Sequence, residues 1–206
     1  MFLHAIISGI IGSLAMLVVL YLITLAHIAN ADMVRALGSL ITKSLDNSVK
    51  VGLLTYFLGG IFFSFIYFAI FSLFPLQEAQ AILFIGVFGG FVHGLIVSFA
   101  LVISVSGRHP VPRFRDVGFG VALAHIIGHI AYGSVLALSY IAFYQPAGNL
   151  PTASEIGPYG IYALVVIAFG IVFTVVTAIV TKQYRKKRKN DDDQSQLSRP
   201  GHLHQL

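Results

Sequence analysis

The chain has 206 residues, of which 57% are hydrophobic and only 10% are charged, whereas an average soluble domain carries about 25% charged residues. Its net charge of +5 comes from basic loops without an interleaved aromatic surface, which argues against a nucleic-acid partner. No cysteine is present, which excludes disulfides, cysteine-held iron–sulfur clusters, covalently attached c-type haem and thiolate metal sites.

Five long apolar runs alternate with short polar segments. They cover residues 2–28, 51–74, 81–105, 117–144 and 159–181, and each exceeds the roughly 20 helical residues that cross a bilayer core of about 30 Å. Helices are expected because hydrocarbon offers the backbone no hydrogen-bonding partner. The predicted fold class is all-α: a polytopic membrane helical bundle of five transmembrane helices within residues 1–181, plus an amphipathic helix on the cytoplasmic side.

The first basic connection contains an amphipathic stretch over residues 31–49. Its apolar residues recur at helical spacing, away from the charged residues on the helical wheel, and are Met33, Leu37, Leu40, Ile41 and Leu45. Asn30 or Asp32 would cap the first turn. The pattern indicates a helix lying on the cytoplasmic membrane interface or, as an equally good alternative, a helical loop packed on other protein.

Charge alternates between the connections. Those after the first and third spans, together with the tail, carry all 13 Lys and Arg residues, whereas those after the second and fourth spans carry only Glu78 and Glu155. Basic connections stay in the cytoplasm, so we expect the N-terminus outside and the C-terminus inside a prokaryotic cytoplasmic membrane. The first span lacks a preceding basic segment and a small-residue cleavage site, which favours a retained helix over a signal peptide.

Spans two and four share a spacing of aromatic, polar and small residues, and so do spans one and three. The matched pairs are Tyr56/His129, Gly60/Gly133 and Tyr67/Tyr140 at an offset of 73, and Gly9/Gly86, Gly12/Gly89 and Met16/His93 at 77, which also pairs Asp32/His109. The offsets predict a parallel repeat of two-span units, residues 1–76 and 78–145, with the fifth span added. Chance matching in glycine-rich apolar sequence is the alternative.

No Asp, Glu, Lys or Arg lies inside the five spans, which argues against ion-coupled transport through intramembrane carboxylates or lysines. Three histidines remain there: His93, His125 and His129. His93 and His129 each lie 12 residues from the cytoplasmic end of their span, about 18 Å deep at 1.5 Å per residue. Because a short loop joins these spans, we expect the two side chains to face each other near the membrane midplane.

Two facing imidazoles at one depth are the minimum for a bis-histidine haem b, and the glycines around His93 would leave room for the macrocycle. His93, His125 and His129 are alternatively candidate ligands of copper or zinc, and Met16, if it lies opposite, would add a soft ligand that favours copper. The remaining interpretations are interhelical hydrogen bonds that need no ligand and a histidine proton path.

Other polar residues lie near the predicted cytoplasmic face. His27, Asp32, His109 and Asp116 are either cap and loop residues or a peripheral metal site. Residues 182–206 begin with a basic run that fits a stop-transfer anchor or a lipid-headgroup site. The rest of this tail is polar and is expected to be disordered.

A set of short motifs runs through the first four spans: Gly9/Gly12/Met16, the 90–94 segment with His93, and Gly128-His129 followed by Tyr132-Gly133. It resembles a pattern in small polytopic prokaryotic membrane proteins of the uncharacterised YagU-like family. The resemblance implies a helical membrane protein of no established activity. It also implies that four residues are important to this group of proteins: His93, His129, Tyr132 and Gly133. The basic tail is not part of this pattern.

No nucleotide-binding loop, nucleophile elbow or HExxH sequence occurs, so nothing indicates an enzyme acting on its own. We predict an integral membrane accessory subunit of a larger, redox or respiratory complex, in contact with lipids and other membrane subunits. His93 and His129 would hold haem b or, with His125 and Met16, copper. The alternatives are a transporter or channel for a small solute or metal, lined by the histidines, and a purely structural scaffold.

Overall fold

A computed structural model describes residues 1–74, 79–105, 107–115 and 118–144, with every side chain in these ranges except those of residues 101–104. The α-helices are α1 Phe2–Leu25, α2 Met33–Thr42, α3 Ser48–Phe71, α4 Ala79–Val105 and α5 Phe119–Tyr144, and a short 3-10 helix covers Pro112–Phe114. No strand occurs in these ranges, so the predicted all-α class is confirmed for them. The fifth predicted span, the tail and Asp116 lie outside the described residues.

Four of the helices are long and apolar enough to cross a membrane: α1, α3, α4 and α5. They coincide with the first four predicted spans and differ from them by at most three residues at either end. The largest differences include the end of α1, which stops at Leu25 because the chain turns at His27, a residue with a φ of +56°. The amino-acid pattern therefore locates these four helices well.

Helix α5 is the centre of the bundle. It packs along both α1 and α4, and α3 packs mainly on α1 and α2. More of α5 is buried than of any other described long helix. By contrast, α3 and α4 meet at only a few positions, so close packing between these two described helices is lacking on this side of the bundle.

The two helical hairpins cross at glycines. In α1 and α3, a Cβ added at Gly9 would lie 3.1 Å from the carbonyl oxygen of Gly60, and in α4 and α5 a Cβ added at Gly133 would overlap the carbonyl oxygen of Gly86. The four glycines are the pairs related by the offsets of 77 and 73. Small residues allow membrane helices this backbone-level approach, and the predicted repeat stays a prediction.

The two basic connections pack on each other at one end of the bundle. An Arg113 guanidinium nitrogen lies 3.5 Å from an Asp32 carboxylate oxygen, and His109 Nε2 lies 3.1 Å from the Ala36 carbonyl oxygen. The offset of 77 pairs Asp32 with His109 and Ala36 with Arg113, so the two contacts are reciprocal. At the opposite end, His4 at the start of α1 bonds the hydroxyl of Tyr144 at the end of α5.

Helix α2 is shorter than the predicted 31–49 segment and is packed on protein. Asp32 caps it by accepting a hydrogen bond from the Arg35 backbone N–H at 3.2 Å, and Lys43 ends it in the left-handed conformation. It approaches the backbone of α3 closely at Gly38, whereas Ile41 is 58% exposed. These contacts favour the alternative of a packed helical loop over a helix that rests only on the membrane interface.

Candidate functional site

Helices α4 and α5 bring His93 and His129 into contact inside the predicted membrane core. Their ring centroids are 4.5 Å apart, and the ring planes are inclined by 69°. The approach is possible because Gly90 and Gly94 of α4 lie directly against the backbone and Cβ of α5 around His129. The arrangement is an edge-to-face pair of imidazoles at the junction of α3, α4 and α5.

His93 is the polar residue with the fewest partners at this junction. Both of its ring nitrogens are buried and have no hydrogen-bond partner among the described residues, and the same holds for the hydroxyl of the neighbouring Tyr67. The ring of Phe63 packs on His93 with a centroid distance of 4.2 Å, and the Tyr67 ring lies 6.1 Å away. Buried polar atoms normally find a partner, so these atoms mark an incomplete site.

His125 and His129 are held by their own helix. Each Nδ1 lies 2.7 Å from the carbonyl oxygen four residues earlier, that of Val121 for His125 and of His125 for His129. A carbonyl oxygen only accepts, so Nδ1 carries the proton of each neutral imidazole and Nε2 presents a lone pair. A ring N–H bonded to a carbonyl oxygen is common in histidines whose other nitrogen binds a metal.

Two tyrosines near the imidazole pair join helices instead of facing the site. Tyr132 of α5 donates a hydrogen bond to the Gly60 carbonyl oxygen of α3, and Tyr56 of α3 donates one to the Ser13 carbonyl oxygen of α1. Both hydroxyls therefore have partners and a structural role. The Tyr67 hydroxyl differs from them in having none among the described residues.

The candidate ligands do not converge on one metal ion. No group of three or more His, Cys, Asp or Glu side chains in the described part of the chain is arranged to hold one. His125 faces the thioether sulfur of Met33, with 3.2 Å between Nε2 and Sδ, whereas Met16 packs against Gly128. The sulfur that faces His125 therefore belongs to Met33, which the sequence pattern did not identify as a candidate ligand.

The imidazole pair also disagrees with a bis-histidine haem. Axial histidines lie on opposite faces of a flat macrocycle, with the iron between their nitrogens. The rings of His93 and His129 are already in edge-to-face contact and leave no gap for a porphyrin. The described arrangement therefore disfavours haem b between these two residues.

The polar residues predicted near the cytoplasmic face serve as cap and loop residues wherever they are described. His109 is fully buried; its Nδ1 accepts a hydrogen bond from the Val111 backbone N–H at 3.0 Å, and its Nε2 donates to Ala36. Asp32 caps α2 and pairs with Arg35. These side chains have backbone or ionic partners, which accounts for them without a metal.

No protein-family model, curated protein or solved structure matches the chain. The resemblance to YagU-like proteins stays a prediction. A function can therefore be inferred only from the geometry of the buried polar groups and from the membrane-like helices around them.

Proposed function

We propose that this protein is an integral membrane subunit that binds a lipid-soluble carrier of the quinone class at His93 and Tyr67, within a larger redox assembly. The observation that carries the proposal is a group of three buried polar atoms that have no partner in the described part of the chain: both nitrogens of His93 and the hydroxyl of Tyr67. A ligand that bonds to these atoms would complete their hydrogen bonding.

The buried polar atoms of His93 and Tyr67 are expected to lower the stability of the ligand-free protein. A buried donor or acceptor without a partner destabilises a protein by about 1–3 kcal/mol, and polar groups inside membranes are rare unless they have a function. The group around His93 contains up to two such donors, one imidazole N–H and one phenol O–H. A bound molecule that accepts both hydrogen bonds would recover much of this free energy.

The surroundings indicate the chemical class of the ligand. Donors that lie in an apolar, aromatic environment suit a flat molecule with carbonyl oxygens, and Phe63 with its ring on His93 provides a stacking surface. Helices α3 and α4 meet at few positions, so access from the lipid phase requires side-chain rotation rather than helix separation. Phe63 is half-buried, and its rotation is the movement we propose.

The test is binding of a short-chain quinone to the full chain in lipid nanodiscs, with co-purifying lipids and proteins identified by mass spectrometry. We expect His93→Phe to abolish binding and Tyr67→Phe to weaken it about 2- to 10-fold, the equivalent of one hydrogen bond. Tyr56→Phe is the matched control, because its hydroxyl bonds Ser13, and it should bind as the unmodified chain does. A chain that purifies alone and binds no quinone would refute the proposal.

A solute pathway is the second candidate, and one observation favours it. A cavity at the end of the bundle that carries the basic loops reaches His125, and His129 and His93 follow at greater depth along α5 and α4. A metal solute would pass from one imidazole to the next. This function predicts flux into proteoliposomes that falls when His93 or His129 is replaced by alanine, whereas the carrier site predicts no flux.

A further inference from the structure

A second polar site lies where α5 meets the N-terminus of α2. His125 Nε2 is 3.2 Å from the Met33 sulfur, and the two residues are 1% and 9% exposed. The other nitrogen of His125 donates its proton to the Val121 carbonyl oxygen. In the neutral imidazole, Nε2 therefore presents a lone pair to a thioether sulfur that also carries only lone pairs.

Two electron-pair donors that face each other at this distance would both gain from a proton or a metal ion that binds them. A proton would leave a buried imidazolium, which is costly without a paired anion. The Asp32 carboxylate lines the same cavity but is engaged by Arg35 and Arg113. A soft metal ion would instead gain two coordination bonds from atoms that are already in place.

The distances suit such an ion. With the bond lengths of zinc sites, about 2.0 Å to imidazole nitrogen and about 2.3 Å to thiolate sulfur, as a guide, an N···S separation of 3.2 Å corresponds to an angle of about 96° at the metal. Both residues line a cavity of about 30 Å³. This volume has room for about one water molecule, which would complete the coordination of the ion.

We propose that His125 and Met33 bind a soft monovalent cation of the copper(I) class. Thioether sulfur selects copper(I) over magnesium, calcium or manganese, and imidazole binds copper as well. The site is separate from the His93 group and does not depend on the quinone proposal. It also differs from the set that includes Met16, whose side chain packs on Gly128 of the same helix α5.

The chain offers a matched pair of variants for the test. Met33→Leu removes the sulfur that faces the imidazole. Met16→Leu removes the sulfur of a similarly buried side chain, which packs on Gly128 through its Cγ. Copper(I) would be titrated under reducing conditions against a chromophoric chelator, with silver(I) as a second probe. We expect one ion per chain, and affinity about 10- to 100-fold lower or worse in Met33→Leu, with Met16→Leu unchanged.

X-ray absorption of the copper-loaded unmodified chain provides a measurement that does not depend on any variant folding. The chain has three methionines and no cysteine, so a sulfur neighbour at about 2.3 Å supports the site and its absence overturns it. Failure to bind copper(I) or silver(I), equal affinity in Met33→Leu, or loss of binding in Met16→Leu instead would also overturn it. His93→Phe should keep copper affinity while losing quinone, which separates the two proposals.

Discussion

Replacing His93 by phenylalanine should stabilise the ligand-free protein, although it removes the residue that we propose binds the ligand. The substitution removes two buried nitrogens that have no partner and keeps a flat ring of similar size. The packing on Phe63 and His129 is therefore largely retained. Because an unsatisfied buried group costs about 1–3 kcal/mol, we expect a gain of about 1 kcal/mol or more in the free energy of unfolding.

Reversible unfolding in bicelles or mixed micelles measures this gain. Tyr132→Phe is the control, because Tyr132 is also aromatic and buried but its hydroxyl donates a hydrogen bond to the Gly60 carbonyl oxygen; we expect it to lose about 1 kcal/mol. Changes of opposite sign in the free energy of unfolding are expected when a functional site lowers the stability of the protein. Destabilisation of both variants by similar amounts would refute the reasoning, since it would mean that His93 is an ordinary packing residue with partners.

Three further predictions concern the bundle itself. Gly133→Ala places a methyl group on the backbone of α4 and should cost about 1–3 kcal/mol in the same unfolding assay, whereas Gly59→Ala, which meets nothing within 4 Å, should be neutral or stabilising. His109→Ala removes a fully buried ring that joins the basic connections and should cost about 1–3 kcal/mol; protease sensitivity in these connections reports the same loss. Because the chain lacks cysteine, an impermeant thiol reagent should label Ser72→Cys on intact cells and Lys43→Cys only after the membrane is permeabilised, and labelling of Lys43→Cys on intact cells would contradict the predicted topology.

The sequence predicted the long helices because hydrophobicity alone defines them. It also predicted that His93 and His129 face each other, from equal depth in two spans joined by a short loop, and the described rings do touch. This inference needed only helix rise and connectivity. The position of a span in the chain and the depth of a residue along its helix can therefore be predicted from the amino-acid sequence.

Rotation of the helices about their axes could not be obtained in this way. Met33 faces His125 because α2 approaches α3 at Gly38, where a Cβ would overlap the Ser48 carbonyl oxygen. The amphipathic pattern placed Met33 on an apolar face but did not say which helix that face meets. The sequence also could not predict that the ring nitrogens of His93 lack hydrogen-bond partners. That property depends on which polar groups of α3 and α5 lie within hydrogen-bonding distance.

The predicted two-span repeat would account for the position of the incomplete site. A two-fold relation between the hairpins would make the α1–α5 contact equivalent to the α4–α3 contact, yet the first is tightly packed and the second is sparse. At the tight contact, Met16 fills the space beside Gly128 of α5; its counterpart in the other unit is His93, which faces Phe63 and has no polar partner. This difference is expected of a duplicated scaffold in which the α1–α5 contact kept a packing role and the α4–α3 contact became a ligand site. Met16 would then be the packing residue and His93 its ligand-binding counterpart.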